Sequence, residues 1–471
     1  MLELGFNKEA RKMAPVEEYF FWRGKLKAYT NFRVGAEFNK ELDLETLHRA
    51  LNYMCYKYSN LCSTVFETEF NLTVKDCNYG IGLLDKFYLK DILHVINDSN
   101  VTMKNALDMV NDTYFEYGIS KPTWGLIFLN KKQLLFYADH LLFDGTSGGN
   151  FHLRLVDALN ATKNTFSKDI YNGLDSIVYD RSNLSIDFTV TPPPDKLLDY
   201  SFSWGKLIYS WMTNVAPKWL SNWVQYFFSK NPFENYRNYK TFSTTIKDQD
   251  KCTILRFPSK DVKKLISVCR HHKVKLTALI THVALLSITE YTGDCDTLSN
   301  IPTNGRSTLD IAKGLELSSN FTPDLGLFMG NVSLDLPSMT KLCPEGEINW
   351  DITKTIHGII HKGVSSSLED IGLLKLLPLR EFVEKNLKNQ SLNATFECSN
   401  IGNIISEQKE MDDFEIVEAW FDQPYSKTLF SIDAASSLNG MNLTMRCQRQ
   451  DWLAELAVKI DSYLKAVIND V

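Results

Sequence analysis

Residues 138–145 read Ala138-Asp139-His140-Leu141-Leu142-Phe143-Asp144-Gly145. Ahead of them, Trp124-Gly125-Leu126-Ile127-Phe128-Leu129 and Leu134-Leu135-Phe136-Tyr137-Ala138 read as two apolar strands joined by the polar Asn130-Lys131-Lys132 turn. Behind them, Phe151, Leu155 and Leu159 recur at helical spacing, which predicts a helix beginning after Asp144-Gly145. The octapeptide is therefore a strand-to-helix turn. A His at the end of a rigid strand can project into a cleft. Asp144 lies four residues on, at the turn, and Gly145 suggests backbone angles that other residues avoid. Imidazole titrates near neutrality, so a neutral His140 can take a proton from an alcohol or an amine. No Ser or Cys nucleophile stands beside it in a strand–turn–helix elbow. That favours direct attack by a bound acceptor over a covalent enzyme intermediate. The plainer alternative is a buried strand-end His paired to a nearby carboxylate.

The chain on either side alternates helical and strand patterns, so the fold class is α/β. Leu44, Leu47, Leu51, Met54 and Tyr58 predict a helix capped by Asp43, and Ser63-Thr64-Val65-Phe66 reads as a strand. Residues 160–200 read as polar and irregular, ending in the stiff Thr191-Pro192-Pro193-Pro194-Asp195. Beyond residue 241, helices are expected over Asp261–His271, Leu276–Tyr291 and Trp452–Val467, and a strand over Asn331–Leu336. This divides the chain into 1–190, a connector 191–240, and 241–471.

Composition narrows the function. The 471 residues carry 51 basic and 57 acidic side chains, a net charge of −6, without the basic footprint of a nucleic-acid binder. The nine Cys are scattered and none is paired as C-x-x-C, which fits a reducing compartment. The N-terminus shows no secretory h-region, and no uncharged apolar run reaches the roughly 18 residues that span a membrane. No metal site is expected. His357 and His361 stand one helical turn apart but lack the Glu of an HExxH motif and an evident third ligand, and His282 reads as a core His.

His140-Leu141-Leu142-Phe143-Asp144-Gly145 resembles the HxxxDG motif of the CoA-dependent acyltransferase superfamily, which includes chloramphenicol acetyltransferase, the plant BAHD enzymes and peptide-synthetase condensation domains. The chain is most similar to the fungal alcohol acetyltransferase family. Further segments agree in order: Ala10-Arg11-Lys12-Met13 with Glu17-Glu18-Tyr19-Phe20, Lys121-Pro122-Thr123-Trp124, Asn304-Gly305-Arg306, Phe328-Met329-Gly330-Asn331 and Ser399-Asn400-Ile401-Gly402. The resemblance implies two similar chloramphenicol-acetyltransferase-like domains with a tunnel at their interface. It implies His140 as general base, an Asp144–Arg306 salt bridge, and Gly145 turning beneath the pantetheine arm. Asn331, Ser399 and Asn400 become candidates for lining the tunnel or holding the oxyanion. Acetyl-CoA would be the cosubstrate, with no bound cofactor. The acceptor would be a hydrophobic alcohol or, alternatively, a long-chain amine such as a sphingoid-like base or drug, whose N-acetylation is a detoxifying reaction. A non-catalytic lipid-binding module is the rival of another class. Two departures matter. Asp139 precedes His140 where condensation domains carry a second His, and the plant DFGWG segment is absent.

Four of the nine Trp, namely Trp204, Trp211, Trp219 and Trp223, fall in the connector. Lys206, Lys218 and Lys230 flank them, and no acidic residue lies between Tyr200 and Lys230. Trp-rich apolar faces with Lys flanks suit a bilayer interface. The expectation is a peripheral protein on the cytoplasmic side, at the endoplasmic reticulum or a lipid droplet. Core packing of the connector and a lid over the substrate tunnel are the alternatives.

Overall fold

A computed structural model describes residues 10–470, apart from 68–77, 164–170, 185–187, 215–216, 218–219, 221–250, 310–321, 390–391, 393, 408–411 and 424–426. Two mixed sheets carry the architecture. The first is ordered Ile416–Asp422, Phe32–Phe38, Gln133–Ala138, Trp124–Leu129, Leu93–Ile96. Its centre is the predicted hairpin, in which Trp124–Leu129 pairs antiparallel with Gln133–Ala138. Asn130 and Lys131 turn it with φ of 48° and 58°, the backbone twist that tight hairpins favour. Helices Leu44–Cys55 and Gly145–Thr162 cover one face, where Leu47, Leu51, Phe151 and Leu155 share a buried cluster with Val34, Leu126 and Phe136. Both helices have Asp caps: Asp43 accepts from the Thr46 N–H, and Asp144 from the Ser147 N–H.

The second sheet is ordered Met329–Leu336, Thr297–Asn304, Ala394–Asn403, Thr428–Ser437, Gly440–Cys447, Thr253–Pro258. Helices Ser259–His271, Leu276–Thr292, Trp350–Gly372 and Gln450–Asn469 pack on it through Leu265, Leu279, Val283, Ile356, Leu456 and Ile460. His282 is buried in this core. Its Nδ1 lies 2.8 Å from Thr353 Oγ1 and its Nε2 3.4 Å from Cys343 Sγ. Both ring nitrogens therefore have partners there.

The two sheets are tied covalently and electrostatically. Strand Ile416–Asp422 belongs by sequence to the second half but pairs antiparallel with Phe32–Phe38 in the first sheet. At its end, Asp422 is fully buried. It accepts from Arg33 Nη1 of the first sheet at 2.8 Å, and from Arg446 Nε and Nη2 of the second at 2.7 and 2.9 Å. Burial pushes the Asp422 carboxyl up, but the two guanidinium groups outweigh it and hold the carboxyl below its ordinary range. Breaking such a buried pair leaves an uncompensated charge, at a cost of about 3–5 kcal/mol. The stretch 160–200, expected to be irregular, contains a strand, Ile177–Asp180, paired with Lys86–Tyr88. Among the described residues no helix is long and apolar enough to cross a membrane.

Candidate active site

His140 stands just past the end of strand Gln133–Ala138, in the turn that Asp139 organises. Asp139 Oδ1 accepts from the Leu141 N–H at 2.7 Å, and Oδ2 accepts from Tyr117 Oη at 2.5 Å. The imidazole is 8% exposed. It stacks on Phe20 with ring centres 4.3 Å apart and planes 12° from parallel, and meets Phe32 at 5.4 Å and Tyr29 at 5.7 Å. Its Nδ1 is buried and, among the described residues, makes no hydrogen bond of normal geometry, though the backbone of His140 and Phe143 lies close enough to act on the ring. Burial pulls the His140 pKa down to about 4; the negative Asp144 opposes this and the positive Arg23 reinforces it. At neutral pH the ring is therefore neutral and able to accept a proton. Burial pushes the Asp139 carboxyl up to about 6, against the Tyr117 and Leu141 hydrogen bonds and the charge of Arg23.

Asp144 is committed elsewhere. Its Oδ1 accepts from the Ser147 N–H at 2.7 Å and its Oδ2 from the Phe328 N–H at 2.9 Å. Arg306 Nη1 reaches Oδ1 at 2.9 Å and Oδ2 at 2.7 Å. The rest of the guanidinium is also used. Nε donates to the Pro323 carbonyl at 3.0 Å, and Nη2 to Ser147 Oγ at 2.8 Å and the Gly326 carbonyl at 3.2 Å. Burial raises the Asp144 pKa, but Arg306 and the two backbone donors bring the net shift below the ordinary value. Neither Asp139 nor Asp144 hydrogen-bonds His140, so the alternative of an imidazole tethered to a carboxylate does not describe this turn.

Gly145 needs a correction. Its φ is not in the positive region, so unusual backbone angles do not explain it. Space does. A Cβ there would stand 2.8 Å from Phe421 Cζ and 3.0 Å from Ile401 Cγ2. The crossing strand and the strand bearing Ser399 both press on the first residue of the helix.

The strand Ala394–Asn403 separates two residues that sequence reasoning had grouped. Phe396 and Cys398 enter the second core, and Asn400 follows them, donating from Nδ2 to Thr277 Oγ1 at 3.2 Å. Ser399 alternates to the opposite face with Glu397 and Ile401, and Ile401 packs on the first core. Only Ser399 of the pair thus shares the face toward the His140 turn; adjacent strand residues cannot both do so. Asn331 is half-buried on Met329–Leu336 and donates from Nδ2 to Asn300 Oδ1 at 3.3 Å. Asn300 is in register with Glu397. Three residues that sequence reasoning did not single out belong to these surroundings: Arg23, Tyr29 and Glu397. The signal for Glu397 was its two-residue spacing from Ser399. Arg23 and Tyr29 had none, being more than 100 positions from His140.

Asn400 instead lines a cleft of about 200 Å³ with Lys275, Thr277, Asn304, His357 and His361. The rings of His357 and His361 are 6.0 Å apart and nearly parallel. The cleft opens at the N-terminus of helix Leu276–Thr292, where orphan N–H groups and Lys275 make the field positive. In the connector, helix Trp204–Asn214 exposes Trp204 (79%), Ile208 and Trp211 (58%) along one side. Lys206 is not a free flanking cation, because its Nζ lies 2.7 Å from Asp370 Oδ1. Trp219 and Trp223 lie outside the described residues.

Comparison with known proteins adds to this geometry. A family model described as alcohol acetyltransferase matches residues 12–458. The N-acetyltransferase SLI1 of Saccharomyces cerevisiae is 23% identical over 455 residues, covering 90% of this chain and 92% of that protein. Among solved structures, the TRI3 trichothecene 15-O-acetyltransferase from Fusarium sporotrichioides superposes with a TM-score of 0.62 at 12% identity, covering 97% of this chain and 94% of that one. The epimerization domain from the third module of tyrocidine synthetase B gives 0.58 at 14% identity, covering 99% and 98%.

Proposed function

This chain belongs to the alcohol acetyltransferase family and is an acyl-CoA-dependent acyltransferase, and from that premise we propose that it moves acetyl from acetyl-CoA to a hydrophobic acceptor by direct attack, with His140 as general base. The observation that carries the reading is the neutral, buried His140, flanked by carboxylates that are bonded to other groups. The acceptor loses its proton to His140 as it attacks the thioester carbonyl. CoA then leaves as a thiolate and recovers a proton. Asp144 and Arg306 shape the turn and take no part in proton transfer. Ser399 and Asn331 are the side chains from which an oxyanion donor is drawn. In this reading residues 1–190 and 241–471 are the two halves joined by 191–240, and the two substrates meet in a tunnel between them.

The cleft under Lys275, His357 and His361 is the proposed seat of the CoA phosphates, because the Lys275 ammonium, imidazole N–H donors and a helix N-terminus converge there. Lys275→Ala should then raise the KM for acetyl-CoA; an unchanged KM removes the cleft from the reading. The family description favours an alcohol as acceptor, and the Saccharomyces relative favours an amine. A peripheral location on the cytoplasmic side, at the endoplasmic reticulum or a lipid droplet, remains part of the proposal; what supports contact with a lipid surface is the exposed Trp204–Ile208–Trp211 stripe.

The test is thiol release from acetyl-CoA with a panel of long-chain alcohols, sterols and long-chain amines, for the wild type and His140→Ala. Turnover with at least one acceptor, lost in His140→Ala by about 100-fold or more, is the expected result. Absence of turnover with every acceptor would favour a non-catalytic lipid-binding module. Equal turnover by His140→Ala would remove His140 as the base.

A further inference from the structure

A cavity of about 540 Å³ lies where three parts of the chain meet: the start of helix Pro15–Lys25, the connector segment 195–201, and the end of helix Trp350–Gly372. Pockets that take small ligands run to roughly 300–1,000 Å³. The catalytic reading above makes no use of this one. Pro15, Val16, Leu198 and Ile371 form its apolar wall. Asp195, Asp199, Lys196 and Lys375 also border it, two acids against two lysines. Such a rim selects no charged headgroup, so the apolar wall makes the selection.

The cavity reaches toward His140 on two sides. Val16 and Phe20 are four residues apart on one helix, so they share a face and stand about 6 Å apart along its axis. Val16 lines the cavity, and Phe20 carries the ring stacked on His140, with centres 4.3 Å apart. On the connector side, Leu198 and Tyr200 share a buried cluster with Phe328. The Phe328 N–H donates to Asp144 Oδ2 at 2.9 Å. Leu198 Cδ1 also stands 3.2 Å from the position a Gly305 Cβ would take, next to Arg306. Two walls of the cavity are thus one contact removed from the HxxxDG turn. Tyr200, which lines the cavity, is 9% exposed, and its Oη is buried with no hydrogen-bond partner among the described residues.

The outer rim adjoins the exposed Trp stripe. Ser201 borders the cavity three residues before Trp204, a span of at most about 11 Å. Lys206 Nζ lies 2.7 Å from Asp370 Oδ1, and Asp370 precedes the cavity residue Ile371, so helix Trp204–Asn214 is tied to the rim. A Cβ on Gly372 would collide with the Tyr200 carbonyl, so the connector lies tight against the end of helix Trp350–Gly372. Phe202 is held there as well, its ring centre 4.5 Å from Lys375 Nζ.

An apolar wall, a rim without net charge, the exposed Trp204 and Trp211 at one side and the helix face that leads to His140 at the other describe a seat for a chain. Resting on the acetyltransferase reading above, we propose that this cavity holds the alkyl chain of a single-chain amphiphilic acceptor, whose terminal hydroxyl or amino group lies at His140. The acceptor enters past Trp204 from a lipid surface, chain and head in line along helix Pro15–Lys25. The substrate class is therefore set by chain length: each CH2 that reaches the apolar wall adds burial, and a short acceptor of the same head chemistry gains none.

The experiment follows thiol release from acetyl-CoA with butyl, octyl and dodecyl alcohols and the matching primary amines, for the wild type, Ile371→Trp and Ser201→Trp. Wild-type kcat/KM should climb along the series by up to about fourfold per CH2. Ile371→Trp, which fills the cavity, should lower kcat/KM for the dodecyl acceptor at least about tenfold more than for the butyl one, with the KM for acetyl-CoA unchanged. Ser201→Trp, at the exposed rim, should act in the same direction and less strongly. Equal losses for butyl and dodecyl acceptors, or a loss confined to the KM for acetyl-CoA, would overturn the proposal. A measurement on the wild type alone stands beside these. A dodecyl acceptor with a diazirine on its chain should label, on irradiation, peptides holding residues 14–16, 195–201 or 371–375; labelling confined to other peptides overturns the proposal as well. A wild type that acetylates the series with no dependence on chain length defeats this inference and leaves the acetyltransferase reading standing. A wild type that acetylates no member defeats both.

Discussion

Arg306 places Nη1 2.9 and 2.7 Å from the two carboxylate oxygens of Asp144, so that the guanidinium following the second sheet's Thr297–Asn304 strand holds the helix cap at the end of the HxxxDG motif. Both side chains are largely buried, at 13% and 8% exposure. The pair therefore acts as a pin between the two halves of the molecule, at the base of the turn that presents His140.

Removing one member leaves the other buried and unpaired. Asp144→Asn or Arg306→Leu should each lower unfolding free energy by about 3–5 kcal/mol, read from denaturant midpoints. The double variant Asp144→Leu with Arg306→Leu should lose less than the sum of the singles. Additive losses would show that the two side chains act independently.

Gly145→Ala tests the steric account of the motif glycine. The new methyl meets the Phe421 ring at 2.8 Å, and the cost should be about 1–3 kcal/mol with reduced activity. Adding Phe421→Leu, which removes the ring, should recover part of both. A Gly145→Ala variant as stable and active as the wild type would mean that the crossing strand yields freely.

If His140 is the base, as proposed, the buried imidazole sets the acid limit of activity. His140 must be neutral to accept a proton, and its pKa in the folded protein lies at about 4, below the ordinary value of 6.5. With an alcohol acceptor, which brings no ammonium titration of its own, kcat/KM should stay level as the pH falls through 6.5 and decline only closer to 4. An acid limb centred at the ordinary histidine value would contradict the burial argument.

The connector helix yields a separate expectation. Trp204 and Trp211 are exposed on one side, and replacing both with Ser should weaken co-sedimentation with neutral phosphatidylcholine vesicles at least about tenfold. Neutral vesicles are the right probe, because Lys206 is spent on Asp370. Unchanged sedimentation would sink the interfacial reading and return the stripe to an ordinary exposed surface.

What the amino-acid sequence determined by itself is local. The hairpin of Trp124–Leu129 and Gln133–Ala138, the turn holding His140, and the Asp144-capped helix Gly145–Thr162 follow from near neighbours: apolar runs, a polar turn, a side-chain oxygen three residues before an orphan N–H. The order of short segments such as Asn304-Gly305-Arg306 was enough to pair Arg306 with Asp144, because resemblance supplied the long-range partner. The tertiary structure decided everything that depends on register and on contacts across hundreds of residues. Strand alternation put Ser399 and Glu397 on one face and sent Asn400 to the other. The crossing strand Ile416–Asp422 made Gly145 a matter of space and not of backbone angle. Packing of helix Pro15–Lys25 brought Phe20 and Arg23 around His140. Side-chain burial is set by what lies opposite, and a residue's own sequence neighbours carry no record of that; hence the turn that presents His140 was legible in the sequence and the side chains around it were not.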